Sequence, residues 1–197
     1  HLIFDMLAKF KQELKENFPY KVIDVEGAEA DDIIGTLTPL YASSQKVLIL
    51  SSDGDFLQLQ KWGDNVKQYN PAQKKYVTTE DPLEYLKMHI IEGDKGDGIP
   101  NILSPGDVFV REVRQKQLVK SVKEKLLNEN VDSWSNEEAK VGWSRNSILI
   151  DLSNIPSEIK QNIINTYEET TPAPKKKILD YFIANKLKNL MDVIEEF

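Results

Sequence analysis

Apolar residues in the N-terminal part of the chain follow a helical pattern and then a strand pattern. Over residues 2–18 they recur at spacings of three and four, which predicts an amphipathic helix: Ile3, Met6, Leu7, Phe10, Leu14 and Phe18. Residues 21–25 and 46–50 are short apolar runs typical of strands, and residues 29–44 between them have helical spacing. We therefore predict a β-α-β unit, in which the strand at 46–50 is parallel and buried on both faces.

The rest of the chain is predicted to be mostly helical after one further pair of strands. Residues 65–69 and 75–79 predict a hairpin at a sheet edge, and Pro82 is placed to begin a helix. Further helices are predicted in residues 107–130, 157–169 and 178–197, and a buried or strand-like stretch in residues 147–152. The predicted fold class is α/β: a mostly parallel sheet with flanking helices in residues 1–80, then a helical lobe in residues 81–197.

Composition excludes several kinds of chemistry. The chain has no cysteine, so thiol catalysis and thiolate metal sites are ruled out, and two histidines argue against zinc. The 25 Lys and Arg against 32 Asp and Glu give a net charge of -7, which argues against binding nucleic acid through bulk charge. No apolar stretch approaches the roughly 18 residues of a membrane span, so we expect a soluble protein without a membrane partner. The chain begins at His1 without an initiator Met, and we expect a missing N-terminal part.

Acidic residues are concentrated in three places along the chain. The three groups are Glu29, Asp31 and Asp32, then Asp53 and Asp55, and finally Asp94 and Asp97. The first two groups follow predicted parallel strands, whose carboxyl ends share one crevice, so we expect them to converge. Converging carboxylates repel one another unless a cation lies between them, and oxygen ligands favour Mg²⁺ or Mn²⁺. Seven carboxylates are enough for two such ions.

Each group also has a plainer interpretation. Residues 29–32 would complement the positive end of a helix, and Asp53-Gly54 is common turn chemistry. The loop from Gly93 to Pro100 could hold a phosphate on its backbone N–H groups. Residues 111–125 carry six basic and two acidic side chains, a balance of +4, which predicts either a phosphate-binding surface or an ordinary solvated helix face.

Three motifs in order resemble the 5′-nuclease (flap endonuclease) family. They are Glu29-Ala-Asp-Asp32, Ser52-Asp-Gly-Asp-Phe56 after an apolar strand, and Gly93-Asp-Lys-Gly-Asp97. Residues 46–59, Asn65-Val-Lys-Gln68, Ile150-Asp151 and the final Glu196-Phe197 are similar to the RNase H group of the T-even bacteriophages within that family. The resemblance runs over most of the chain. It implies a PIN-like nuclease core whose C-terminal part is residues 1–80, followed by a helical DNA-binding lobe.

The resemblance implies an enzyme that removes RNA primers and 5′ flaps with two Mg²⁺ ions, for which Mn²⁺ can substitute. Glu29, Asp31 and Asp53 would hold the first ion, Asp55, Asp94 and Asp97 the second, and Asp32 would lie in an outer shell. The residues implied as catalytic are Asp31, Asp53 and Asp55. A helix-loop-helix over residues 83–115 would hold the duplex backbone, with K⁺ on loop carbonyls. The residues implied in DNA binding are Lys95, Gly96, Gly98, Arg111, Arg114, Lys116 and Lys120.

The implied partners are branched or nicked duplex DNA and RNA–DNA hybrid, with a phage single-stranded-DNA-binding protein and a sliding clamp as protein partners. The implied state is a monomer in the cytoplasm, that of the host if the chain is phage-encoded. Family members begin with a strand bearing an Asp ligand and continue into a helical arch with Lys and Arg, and nothing here corresponds to either. Residues 99–106 also lack the second glycine hairpin of cellular relatives. The alternatives are a non-catalytic DNA-binding module and a metal-dependent phosphatase.

Overall fold

The computed structural model describes residues 2–197, which divide into two compact units. The larger unit is continuous, from Ala28 to Lys160, and contains every predicted metal-site residue. The smaller unit joins residues 2–27 to residues 161–197. The domain boundary predicted at residue 80 lies inside the larger unit. The division into a metal-binding part before residue 80 and a DNA-binding part after it stays a prediction.

Eight helices, four 3₁₀ segments and three strands follow one another along residues 2–197. The helices are α1 (Leu2–Asn17), α2 (Ala30–Ala42), α3 (Pro82–Glu92), α4 (Lys120–Asn128), α5 (Glu137–Ile150), α6 (Ser157–Glu169), α7 (Lys176–Ala184) and α8 (Lys188–Met191). The strands are β1 (Val47–Leu50), β2 (Val66–Asn70) and β3 (Lys75–Val77), and the 3₁₀ segments are Asp55–Asn65, Val131–Ser133, Leu152–Asn154 and Ile194–Glu196. Within the described part of the chain, no helix is both long and apolar enough to cross a membrane.

The sheet has the order β1-β2-β3, with one parallel and one antiparallel pairing. Val47 of β1 is in register with Val66 of β2, and Tyr69 of β2 faces Tyr76 of β3. The predicted hairpin is therefore confirmed. The expected burial of β1 on both faces is wrong, because Leu50 is 67% exposed whereas Ile49 is 5% exposed.

The predicted strand at residues 21–25 does not form, so the predicted β-α-β unit is wrong. This segment belongs to the smaller unit, where its polar side chains bind neighbouring helices. Asp24 accepts a hydrogen bond from Lys11 of α1 at 2.6 Å, and Lys21 donates to the backbone carbonyl of Tyr167 in α6. The parallel pair of the sheet is instead β1 and β2, connected through the 3₁₀ segment 55–65.

Two predictions in the second half of the chain are also corrected. Residues 107–119 form turns and irregular backbone, so helix α4 begins only at Lys120 and the helix-loop-helix predicted over 83–115 has no second helix there. Residues 147–150 are the last turn of α5 and not a strand. Ile148 is 70% exposed and Ile150 is 2% exposed, so only part of this apolar run faces the core, which suits the end of a helix.

The larger unit has two main groups of buried side chains. One packs α2 and β1 against the 3₁₀ segment and consists of Ala42, Ile49, Phe56, Leu59 and Val66. The other lies under α3, α4 and α5 and consists of Ile91, Ile102, Leu126, Trp134 and Ala139. Trp134 is 2% exposed and meets Trp143 edge-on at 5.5 Å, so these rings serve packing. In the smaller unit, Phe18 at the end of α1 packs on Ile178 and Phe182 of α7.

Two polar side chains of α5, the buried Asn146 and the half-buried Arg145, bind the irregular segment that follows α3. Asn146 is fully buried, and its amide nitrogen donates to the carbonyl of Ile90 at 2.9 Å and to that of Pro100 at 2.8 Å. The neighbouring Arg145 donates to the carbonyls of Ser104 and Pro100. These side-chain bonds satisfy buried backbone carbonyls that have no helix or strand to pair with.

The substitution Asn146→Ala tests this arrangement. It leaves the carbonyl of Ile90 without its side-chain donor and removes one of the two donors to the carbonyl of Pro100, which keeps its bond from Arg145. We expect a loss of roughly 1–3 kcal/mol in the free energy of unfolding. Urea denaturation followed by circular dichroism measures it. Asn162→Ala, at an exposed position of α6, is the control and should change stability little. Equal stability of the two variants would contradict a supporting role for Asn146.

Candidate metal centre

The seven predicted acidic residues come from three segments of the larger unit. Glu29 is the N-cap of α2, and Asp31 and Asp32 lie in its first turn. Asp53 lies in the turn after β1, and Asp55 begins the following 3₁₀ segment. The remaining two, Asp94 and Asp97, lie in the loop after α3.

The electrostatics place these carboxylates in one shared field. The pKa of Asp31 is raised to about 6 by burial and then by the charges of Asp53, Asp55, Glu29 and Asp32. The pKa of Asp97 is raised by burial and then by the charges of Asp94, Asp55, Asp53 and Glu29. The three acidic segments therefore lie close enough for the charge of one to raise the pKa of a carboxyl group in another.

The convergence has a different cause from the predicted one. Residues 2–28 contain no strand, so the first group does not follow a parallel strand as predicted. Instead, the apolar face of α2 packs on β1 and the 3₁₀ segment through Ile34, Ala42 and Phe56. That packing holds the N-terminus of α2, with its carboxylates, beside the turn that carries Asp53.

The turn after β1 is held by a buried side chain from the neighbouring strand. Gln68 of β2 is 1% exposed, and its amide nitrogen donates to the carbonyls of Ser51 at 3.1 Å and Asp53 at 2.5 Å. One carboxylate oxygen of Asp53 accepts the backbone N–H of Asp55 at 3.0 Å. The turn is therefore held both by the side chain of Gln68 and by the hydrogen bond between Asp53 and Asp55.

The loop after α3 is closed by its own first aspartate. Asp94 Oδ1 accepts the backbone N–H groups of Gly96 at 2.7 Å and Asp97 at 3.2 Å. Gly93 has a φ of +71°, and a Cβ there would lie 2.4 Å from the carbonyl oxygen of Ile99. Only glycine fits this position, because both the backbone conformation and the close approach exclude a side chain.

The plainer interpretation of the first acidic group holds in part. Asp32 accepts the backbone N–H of Glu29 at 2.9 Å, which is the bond of a helix N-terminal capping residue. Asp32 therefore has a structural task at the start of α2. Within the described residues the carboxylate of Asp31 accepts no such bond, and its negative charge is repelled by those of Asp53, Asp55, Glu29 and Asp32.

Sequence reasoning missed His89, which lies in the last turn of α3. Its Nε2 is 2.9 Å from Oδ1 of Asp55 and 3.5 Å from Oδ2 of Asp94. One ligand atom from each of these three residues lies within 4.8 Å of the other two. The contact with Asp55 raises the pKa of His89, and burial opposes the increase. The only signal in the sequence is that His89 stands shortly before Asp94 on the helix that leads to it.

Tyr85 is a second residue that the sequence did not single out. Its ring stacks on His89 at 5.9 Å with an angle of 16° between the planes, and a Cβ on Gly54 would lie 2.8 Å from its hydroxyl. Burial raises the pKa of the phenol, followed by the charges of Asp55, Asp53 and Asp94. Tyr85 thus borders both the Asp53 turn and the histidine.

The predicted DNA-binding residues differ in whether a nearby carboxylate pairs with their positive charge. Arg111 and Lys120 lie 3.7 Å from Asp107 and Glu124, respectively, and Lys116 pairs with Glu138. Lys123 and Lys125 pair with Glu92 and Glu129. Lys95 and Arg114 are exposed and have no ion-pair partner among residues 2–197, and Gly96 and Gly98 are exposed in the loop beside Lys95. The basic stretch is therefore less positive than its sequence balance indicates.

The donor set fits divalent cations that prefer oxygen. The site offers carboxylates from three segments and no thiolate. Burial and then the charges of neighbouring carboxylates raise the pKa of Asp31, as expected where no cation compensates the charge. Seven carboxylates are sufficient for two such ions, because Mg²⁺ usually takes one or two and keeps several waters.

The substitution Asp31→Asn tests the repulsion in the metal-free protein. The folded-state pKa of about 6 lies above the ordinary value of 3.8, so the folded state loses stability as pH rises between these values. We expect Asp31→Asn to raise the unfolding temperature by a few degrees above pH 6, with the gain shrinking towards pH 3.8. Thermal unfolding in chelator measures it, with Asp132→Asn at an exposed site as the control. A lower unfolding temperature for Asp31→Asn would show that the charge is favourable in the fold.

Two family profiles match the chain. The profile of the 5′-3′ exonuclease N-terminal resolvase-like domain matches residues 5–87, and that of the T4 RNase H C-terminal region matches residues 83–197. Ribonuclease H of Enterobacteria phage T4 is 34% identical over 208 residues, covering 98% of this chain and 66% of that protein. A 5′-3′ exonuclease of Buchnera aphidicola subsp. Schizaphis graminum is 32% identical over 99 residues, covering 46% of this chain and 34% of that protein.

Solved structures show the same fold. A mutant of T5 5′-exonuclease matches with a TM-score of 0.59 at 18% identity, over 85% of this chain and 76% of that chain. A T5 protein co-crystallised with metal ions matches with a TM-score of 0.55 at 19% identity, over 85% of this chain and 68% of that one. The chain spans about two thirds of the T4 relative and one third of the Buchnera relative. On the evidence of its two profiles, the chain belongs to the T4 RNase H family of 5′-3′ exonucleases.

Proposed function

We propose that this protein is a metal-dependent 5′ nuclease that acts on branched or nicked DNA and on RNA–DNA hybrid. The observation that carries the proposal is the meeting of seven carboxylates from three separate segments in one field. Membership of a family whose relatives are named ribonuclease H and 5′-3′ exonuclease supports the reaction class. Removal of RNA primers and 5′ flaps by this chain is part of the proposal.

We assign the carboxylates to two divalent ions, Mg²⁺ with Mn²⁺ as a substitute. Glu29, Asp31 and Asp53 would hold the first, and the second would lie between the 3₁₀ segment and the loop after α3, at Asp55, Asp94 and Asp97. Asp32, whose carboxylate caps α2, suits an outer shell. When bound, such ions activate a water and stabilise the leaving oxygen of a phosphodiester.

The chain's own groups would position the substrate around these ions. The carboxylates Asp31, Asp53 and Asp55 repel a phosphate unless cations compensate them, so the site admits substrate only with its metals. Lys95 and Arg114 are exposed and have no ion-pair partner among residues 2–197, and they would bind phosphates of the duplex without reading its sequence. A K⁺ ion on the carbonyls of the loop 93–100 stays a prediction.

The setting of the activity is also a proposal. The similarity to a phage T4 protein suits a nuclease that works in the cytoplasm of an infected host, together with a single-stranded-DNA-binding protein and a sliding clamp. Action as a monomer belongs to the same proposal. The helical residues 81–197 would be the DNA-binding lobe and residues 28–80 the part that brings most metal ligands.

The first experiment is cleavage of a 5′-labelled flap duplex with and without Mg²⁺. We expect metal-dependent release of short products, and Asp53→Asn or Asp94→Asn should lower the rate by about 100-fold or more, because each removes a metal ligand. Asp132→Asn is the matched control. The same reaction is repeated with the part of the T4 protein that this chain does not match. Binding without cleavage in both reactions would favour a non-catalytic DNA-binding module and overturn the proposal.

The second experiment concerns the phosphate contacts. Arg114→Ala should weaken binding to flap DNA and reduce the slope of log K against log salt by about 1, since one phosphate contact is lost. Lys116→Ala is the matched control, because the charge of Lys116 is already paired with Glu138. Fluorescence anisotropy in Ca²⁺ across a salt series measures both variants. Equal slopes for the two variants would remove Arg114 from the proposed interface.

A further inference from the structure

The proposed function uses seven carboxylates and leaves His89 without a role. This residue is unusual in the site because it is the only nitrogen donor that meets the carboxylates there, within the part of the chain that the structure describes. Its Nε2 is buried between Asp55, at 2.9 Å, and Asp94, at 3.5 Å. These two carboxylates are assigned above to the same ion.

The Nε2 atom makes no well-aligned hydrogen bond among residues 2–197, although it lies 2.9 Å from Oδ1 of Asp55 and interacts with that carboxylate. The contact has the distance of an ion pair without the alignment of an N–H···O bond. A buried nitrogen without a hydrogen bond is costly, so a native structure usually supplies a partner for it. A cation held by Asp55 and Asp94 would accept the lone pair of this nitrogen.

The neighbours of His89 fix its position. The residue lies in the last turn of α3, between the buried Ile90 and the stacked ring of Tyr85. The loop that carries Asp94 follows directly, and Gly93 at φ +71° turns it back. Asp55 comes from a separate segment, the start of the 3₁₀ helix. The end of α3, the loop after it and the start of the 3₁₀ segment therefore bring one nitrogen and two carboxylate oxygens within 4.8 Å of one another.

We propose that Nε2 of His89 is a ligand of the divalent cation at Asp55 and Asp94, and that this position prefers Mn²⁺ or a similar transition metal to Mg²⁺. The proposal rests on the metal centre of the proposed function. Imidazole is a good ligand for transition metals, whereas Mg²⁺ prefers oxygen alone, so a mixed nitrogen and oxygen set shifts the preference.

The competing role for His89 is that of a cation. As an imidazolium, it would pair with both carboxylates and compensate their charge. The two roles predict opposite effects of removing the ring. If His89 is a ligand, then His89→Gln weakens Mn²⁺ binding, whereas if it is only a counter-ion, removal frees the carboxylates and Mn²⁺ binds at least as tightly.

The test is pulsed EPR of Mn²⁺ bound to the full chain, which detects hyperfine coupling to a directly bound imidazole nitrogen. We expect ¹⁴N coupling in the wild type, a change of its pattern on ¹⁵N-histidine labelling, and its loss in His89→Gln. The Kd for Mn²⁺ should rise at least about tenfold in that variant, and the Kd for Mg²⁺ should change less. The chain has only one other histidine, and His1→Ala is the matched control that should keep the coupling.

The outcomes separate this proposal from the proposed function. Tight Mn²⁺ binding without ¹⁴N coupling, or coupling that disappears only in His1→Ala, overturns the role of His89 as ligand, even if the wild type cleaves flap DNA. Unchanged or tighter Mn²⁺ binding by His89→Gln overturns it as well. Loss of Mn²⁺ binding in His89→Gln supports the proposal only if this variant keeps the circular dichroism spectrum of the wild type. If the spectrum is altered, His89→Asn is measured instead, and the proposal requires that it also loses the ¹⁴N coupling. Wild-type protein that binds no Mn²⁺ and cleaves nothing overturns both proposals.

Discussion

Repulsion between carboxylates is the constraint on which the rest of this structure depends. Ionising Asp31 is opposed by its burial and by the charges of its neighbours, which together raise its pKa to about 6. A fold gains nothing from assembling such a group in the absence of a cation. The apolar contacts of α2 with β1 and the 3₁₀ segment offset this repulsion, since they hold the acidic end of α2 in place. The site is therefore unfavourable in itself and is maintained by the core beneath it.

Two buried side-chain amides also hold the irregular segments of the site in place. Gln68 binds the carbonyls of the turn at Asp53, and Asn146 binds those of Ile90 and Pro100 on either side of the Asp94 loop. Such loops have few backbone partners of their own, so side-chain donors replace the ladder of a helix or strand. Each amide is almost completely buried, which makes its bonds costly to lose. The metal-binding geometry thus depends on residues that would never touch a metal.

The arrangement explains how an acidic protein can be proposed to act on nucleic acid. The net charge of -7 opposes binding of DNA through bulk charge, and most of the basic stretch is paired with carboxylates. Lys95, next to Asp94 in the loop after α3, and Arg114 are the exposed residues among the predicted DNA-binding side chains that have no ion-pair partner within residues 2–197. The proposed attraction for phosphate therefore rests on these two charges and on the cations proposed for the acidic site.

Sequence patterns alone determined the α/β class, helices α1, α3 and α6, the hairpin of β2 and β3, and the family, because short-range periodicity and fixed motifs are local properties. They also singled out seven carboxylates in three short groups as a candidate site, which stays a prediction. The expected strand at residues 21–25 was wrong, and Glu29 stands at the start of α2 instead. Only the tertiary structure placed His89 between Asp55 and Asp94, showed which basic residues are neutralised, and exposed one face of β1. These features depend on which distant segments meet, and side-chain packing decides that in three dimensions.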